Sequence, residues 1–239
     1  MNFFNSPSKV EKDITSGYSS GMAKYMNLVY ANIAKALAIS GLVAFITSQI
    51  PSLMNAIYGT PLLFIVMFAP LVLVFVFFFK ISKMPYPTAL NVFYLYSALM
   101  GLSLSFIFLY YTGVSILRTF FITSATFAGM SLYGYTTKKD LTSFGSFLIM
   151  GLWGIFIASL VNIFLKSSGV QFVISILSVF IFIGLTAYDT QKIKQMYFAC
   201  DGMDINNAKK VALMGSLTLY MDFINLFITL LRFFGEKKE

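Results

Sequence analysis

Histidine is absent from this 239-residue chain, and there is a single cysteine, Cys200. Without histidine there is no Ser-His-Asp or Cys-His catalysis and no imidazole pH switch, and most zinc sites are ruled out. One cysteine allows no intramolecular disulfide and no thiolate cage. Charge is also scarce. Asp, Glu, Lys and Arg make up 11% of the residues, where a soluble domain carries about a quarter. Nine residues are acidic, so any titration near neutral pH falls to carboxylates in unusual surroundings. No phosphate loop or nucleotide motif occurs.

What is present is apolar. Hydrophobic residues make up 58% of the chain and the mean hydropathy is +0.81. A single globular core could not hide that much apolar area, so the missing solvent is lipid. The 27 Phe and 14 Tyr suit lipid-facing surfaces and interfacial belts. Apolar segments lie near 27–50, 61–80, 88–110, 114–136, 143–165, 170–188 and 211–233. Each is long enough as a helix to cross a hydrocarbon core of about 30 Å. Turn chemistry separates them: Pro51, Gly59-Thr60-Pro61, Pro85 and Pro87, Gly113, Lys138-Lys139-Asp140 and Ser167-Ser168-Gly169. The runs are continuous rather than alternating, which excludes a β-barrel. The expected fold is therefore all-α and integral to the membrane, with a polar seventh helix.

The net charge of +8 is spread singly or in pairs between apolar runs. That pattern reads as topology signals rather than as a nucleic-acid surface. With the N-terminus in the cytoplasm, Lys9, Lys12, Lys24, Lys35, Lys80, Lys83, Lys138, Lys139, Lys192, Lys194, Lys209 and Lys210 gather on one side. Arg118 and Lys166 fall on the other. Residues 1–24 are polar, lack a signal-peptide pattern, and are expected to form a flexible cytoplasmic tail. The membrane domain is expected over 25–234, with a charged tail at 235–239. Seven full spans place Arg232, Lys237 and Lys238 outside, against the positive-inside trend. The last segment therefore either crosses or re-enters, and crossing is the favoured reading.

Asp222 stands near the middle of the seventh segment, where a carboxylate costs roughly 2.5–3.5 kcal/mol on insertion scales. It is either a functional group or a structural hydrogen-bonding residue between helices. Gly215, Thr218, Asp222, Asn225 and Thr229 recur at spacings of three and four, so they share one helix face. Thr218, Asn225 and Thr229 are candidate pathway lining, or packing glue at a helix seam. Asp189, at the end of the sixth segment, is either an interfacial boundary residue or a partner for Asp222. Two carboxylates a few ångströms apart do not both ionise easily and share a proton, giving a pH sensor without histidine. Deprotonated, both offer hard oxygen ligands suited to Ca²⁺. Lys80 and Lys83 are candidate basic latches or plain positive-inside anchors. Gly151, Gly154 and Ala158 with Asn162, and Gly129 with Gly134, are expected at close helix contacts.

Four strings carry a resemblance: Met100-Gly101-Leu102-Ser103-Leu104-Ser105, Ser131 through Leu141, Leu185-Thr186-Ala187-Tyr188-Asp189-Thr190-Gln191, and Leu219 through Phe227. Together they resemble the Bax inhibitor-1/YccA family over roughly residues 25–234, in a bacterial version. The resemblance implies a seven-helix bundle whose polar last helix is enclosed by the other six, and a di-aspartyl pH sensor at Asp189 and Asp222. It also implies a pH-sensitive calcium leak in a bacterial inner membrane. In such relatives an arginine of the second helix latches one aspartate; here the nearest basic residue is Lys80, a point charge rather than a bidentate fork. On this reading, protonation neutralises the pair, loosens the lysine contact and lets the helices part. Another relative is similar to a non-conducting modulator of a membrane AAA protease, and the N-terminal tail would suit that role. An intramembrane aspartyl protease is a third reading, but Leu219-Tyr220-Met221 stands before Asp222 where such enzymes carry a Gly-x-Gly pattern. No enzyme activity and no bound cofactor are expected.

Overall fold

The computed structural model describes the backbone of residues 9–200 and 204–238, and the side chains of 20–200 and 204–238. Nine helices follow in order among these residues: α1 (Lys9–Ser48), α2 (Pro51–Tyr58), α3 (Leu62–Lys80), α4 (Tyr86–Leu104), α5 (Ile107–Tyr110), α6 (Gly113–Thr136), α7 (Thr142–Leu165), α8 (Ser168–Ala199) and α9 (Ile205–Phe234). Seven of them are long and apolar enough to cross a membrane; α2 is a short connector, and α5 continues the span begun by α4.

The helix ends fall where the turn chemistry placed them. Thr112 and Ser167 cap α6 and α8 by accepting from the backbone N–H groups of Ser115 and Val170. Asp204 caps α9, accepting from Asn206 and Asn207 at 2.8 and 3.0 Å. Between α7 and α8 the chain reverses at Lys166, whose φ of 50° is left-handed. Asn162 holds that reversal, accepting from Ser167 N–H and donating to Gln171 Oε1, both at 3.2 Å. Asn162 thus serves the turn. Pro70 lies inside α3 and leaves the carbonyl of Val66 without its helical donor. The Ser103 hydroxyl of α4 donates to that carbonyl at 2.5 Å, so the neighbouring helix repairs the gap.

The polar last helix occupies the middle. It packs against α1, α4, α6 and α8, and 67% of its most apolar window is buried, against 11% for α7. α7 packs chiefly on α8 and leaves most of its surface to lipid. Tyr220 locks the centre: its hydroxyl meets Ser40 Oγ at 2.6 Å, and Ser40 Oγ reaches the Ser97 carbonyl at 2.7 Å. Three helices are thereby joined through one buried network.

α9 crosses the bundle in one piece. Near its start, Lys210 Nζ donates to the Ser82 carbonyl at 3.1 Å, beside the α3–α4 turn. Past its end, Thr112 N–H donates to the Glu236 carbonyl at 3.1 Å and Lys238 N–H to the Tyr110 carbonyl at 2.9 Å. Arg118 pairs with Glu236 at 3.4 Å at the same place. The two sets of contacts lie at opposite ends of α4, so the segment spans rather than re-enters, and residues 235–238 are docked. The α6–α7 loop belongs to the first end: Gln191 accepts from Leu141 N–H at 2.8 Å and donates to the Lys139 carbonyl at 2.7 Å. That end is rich in lysine.

The N-terminal boundary differs from the expected 1–24 tail. Residues 1–8 lie outside the described residues, but α1 starts at Lys9. Met22 and Tyr25 are buried, with the Tyr25 ring tilted against that of Tyr197 at 5.4 Å between centroids. The apolar stripe of α1 thus begins before residue 25, because α8 extends past Asp189 to Ala199 and gives it a partner.

Candidate functional site

α8 and α9 run side by side, and their two membrane aspartates meet. Asp189 and Asp222 come close enough for their carboxyl groups to interact directly. Two carboxylates are both acceptors, so a hydrogen bond between them would take one shared proton. Asp222 is buried, and its Oδ2 atom has no donor among the described residues. Asp189 is half-buried and sits nearer the lysine-rich end. The two helices that carry them pack tightly along their length. Gly215 helps set that approach: a Cβ there would lie 3.0 Å from Ile193 of α8.

Lys80 and Lys83 are exposed and make no ion pair with either aspartate among the described residues. The α3–α4 turn that carries them sits at the level of Lys210. Asp222 is twelve residues further along α9, about 18 Å at the helical rise. The basic group beside Asp189 is instead Lys192, one turn along its own helix. Its exposed ammonium also lies 5.9 Å from the centroid of the Tyr188 ring.

The proposed lining residues separate. Thr218 is half-buried and donates to the Met214 carbonyl at 3.2 Å; Thr229 is buried and donates to the Asn225 carbonyl at 2.7 Å. Both hydroxyls are therefore spent on their own helix. Asn225, on the same face one turn beyond Asp222, is exposed. Sequence reasoning passed over the polar groups around the pair. Ser131 Oγ of α6 is buried without a partner among the described residues, and Thr190 of α8 donates to the Thr186 carbonyl at 2.7 Å. Asn32 donates to Ser216 at 3.4 Å. Their signal was faint because each is a single hydroxyl or amide in an apolar run.

Among the described residues no group of three or more acidic, Cys or His side chains could hold a metal ion. Two carboxylates supply part of the six to eight oxygens that Ca²⁺ takes. Water and carbonyls would have to complete the shell.

Comparison with known proteins bears on this arrangement. Residues 22–239 match the family model described as inhibitor of apoptosis-promoting Bax1. The chain is 46% identical over 222 residues to RP147 of Rickettsia prowazekii (strain Madrid E), covering 93% of each chain. It is 44% identical over 220 residues to inner membrane protein YbhL of Escherichia coli (strain K12), covering 92% of this chain and 94% of that one. A Borreliella burgdorferi protein is 48% identical over 218 residues, covering 90% and 93%. With seven helices long and apolar enough to cross a membrane, the chain belongs to the Bax inhibitor family of multi-pass membrane proteins.

Proposed function

We propose that this protein is a pH-sensitive calcium leak of a bacterial inner membrane, gated by Asp189 and Asp222. The observation that carries the reading is the contact between two carboxyl groups on adjacent helices, one of them buried in the central helix with an oxygen lacking a donor. The proton between them holds α8 against α9. Losing it leaves two like charges, whose repulsion at about 4 Å and an effective dielectric near 20 is about 4 kcal/mol. That is enough to shift a two-state equilibrium by roughly a thousandfold. The same event creates a doubly negative site that attracts a hard divalent cation. Neither Lys80 nor Lys83 lies beside the pair, so a lysine latch is not needed for gating. Flux accordingly rises as pH rises through the loss of the shared proton, the reverse of the opening on protonation expected from the sequence, which relied on a lysine latch.

The lysine-rich end is read as cytoplasmic by the positive-inside rule, and the inner-membrane description of the Escherichia coli relative supports the location. The bilayer and Ca²⁺ are then the partners, the protein is not an enzyme, and nucleic acid has no role. The test is reconstitution into vesicles holding a calcium dye, with empty vesicles as the control. Influx above the control is expected. Influx equal to the control at every pH would refute conduction and favour a non-conducting modulator of a membrane AAA protease or other complex.

A further inference from the structure

The lysine-rich end carries a cavity of about 530 Å³ between the start of α1, the end of α8 and the start of α9. It is far from the aspartate pair and has no part in the gating described above. Its lining has two kinds of surface. Lys24 and Lys209 supply positive charge, and Leu28, Tyr197, Phe198 and Ile205 supply an apolar and aromatic wall. Among the described residues no acidic side chain lines it, and neither lysine has a carboxylate within 4 Å. The Lys209 ammonium rests 5.6 Å from the centroid of the Tyr86 ring, a weak contact that leaves its donors free for an anion. Phe198 and Ile205 are 57% and 74% exposed. Two large apolar side chains on the terminal turns of membrane helices are stable only if something apolar covers them.

We infer that this cavity binds an anionic phospholipid, its phosphate between Lys24 and Lys209 and its acyl chains against Phe198 and Ile205. The pairing of charge with an apolar wall selects the occupant. A soluble anion would use the lysines and leave Phe198 and Ile205 bare, whereas a zwitterionic lipid would cover those side chains without using the charge. Basic pockets between membrane helices at the cytoplasmic face take acidic head groups in this way. At the opposite end Arg118 is paired with Glu236.

The test uses the full chain. Trp153, the single tryptophan, is replaced by Phe, and Phe198→Trp puts a reporter on the cavity wall. Quenching is recorded in vesicles mixing unlabelled phosphatidylcholine with brominated phosphatidylglycerol or brominated phosphatidylcholine. A several-fold preference for phosphatidylglycerol is expected. It should fall to near unity in Lys24→Gln with Lys209→Gln, and persist in Lys138→Gln with Lys139→Gln, which removes equal charge from the same end. Equal quenching by the two lipids in the parent, or a preference that survives loss of Lys24 and Lys209, would overturn the assignment. Loss of the preference on adding millimolar inorganic phosphate at constant ionic strength would also overturn it, in favour of a free-phosphate site. Calcium flux plays no part in the readout, so this result stands or falls apart from the gating mechanism.

Discussion

Two glycines on α6 give a controlled test of how closely the bundle is packed. A Cβ on Gly134 would run into the carbonyl oxygen of Ala187 on α8 and lie 3.0 Å from its Cα; a Cβ on Gly129 would meet nothing within 4 Å. Both positions are helical, so replacing either by alanine brings the same propensity gain of about 1 kcal/mol. That gain cancels in the comparison. What remains is the cost of forcing a methyl against backbone, which cannot rotate away; overpacking of this kind costs about 1–3 kcal/mol. Gly129→Ala is therefore expected to be neutral or slightly stabilising. Gly134→Ala should be about 1–3 kcal/mol less stable than Gly129→Ala. Reversible unfolding in mixed detergent micelles, followed by circular dichroism, reads the difference directly. Ala187 stands two residues from Asp189, so displacing α8 should also disturb the pH profile of flux. Equal stability of the two variants would refute direct backbone contact between α6 and α8, and with it the placement of Asp189.

Tyr220→Phe removes the hydroxyl from the Ser40 junction but leaves Ser40 its carbonyl partners, Ala36 and Ser97. A loss of about 0.5–1.5 kcal/mol is expected in the same unfolding assay, and a loss beyond about 3 kcal/mol would mean the network carries more than this bond. Asp140 accepts from both the hydroxyl and the N–H of Thr142, which holds its carboxyl below the ordinary value of 3.8. A lowered carboxylate stabilises the native state above the unfolded value and loses that contribution as pH falls through the native one. The α6–α7 loop should therefore loosen below about pH 3.8, seen as faster amide exchange. Asp140→Asn should abolish that pH step, and an unchanged step would assign it to another group.

Much of the architecture was legible because lipid imposes a simple rule: a spanning helix must be apolar over its length and must end where turn chemistry allows. The breaks at Pro51, Pro85, Gly113 and Ser167 mark helix ends for that reason. The helices outrun the apolar windows, because α1, α8 and α9 continue into the polar region, where Met22 and Ile193 still find partners. Spacing on α9 identified the carboxylate face, but it could not say which side of that face each neighbour closes. Asn225 emerged exposed, and both threonines turned inward to their own carbonyls. Small-residue spacing was likewise ambiguous. Gly134 and Gly151 meet α8, whereas Gly129 and Gly154 meet nothing. The latch lysines were chosen by nearness in sequence to a helix end. The three-dimensional register of α3 against α9 keeps them about three turns from the aspartates.

The central claim is that one proton between Asp189 and Asp222 controls passage of calcium. The most direct measurement is dye-reported calcium influx into proteoliposomes from pH 5.5 to 8, with Asp222→Asn and Asp189→Asn beside the native chain. An amide can donate to the remaining carboxylate without a titrating proton, so each variant should keep the contact and lose the switch. Native flux is expected to rise with pH while both variants stay flat and low. A native pH dependence that survives intact in Asp222→Asn would contradict the mechanism and place the titrating group elsewhere.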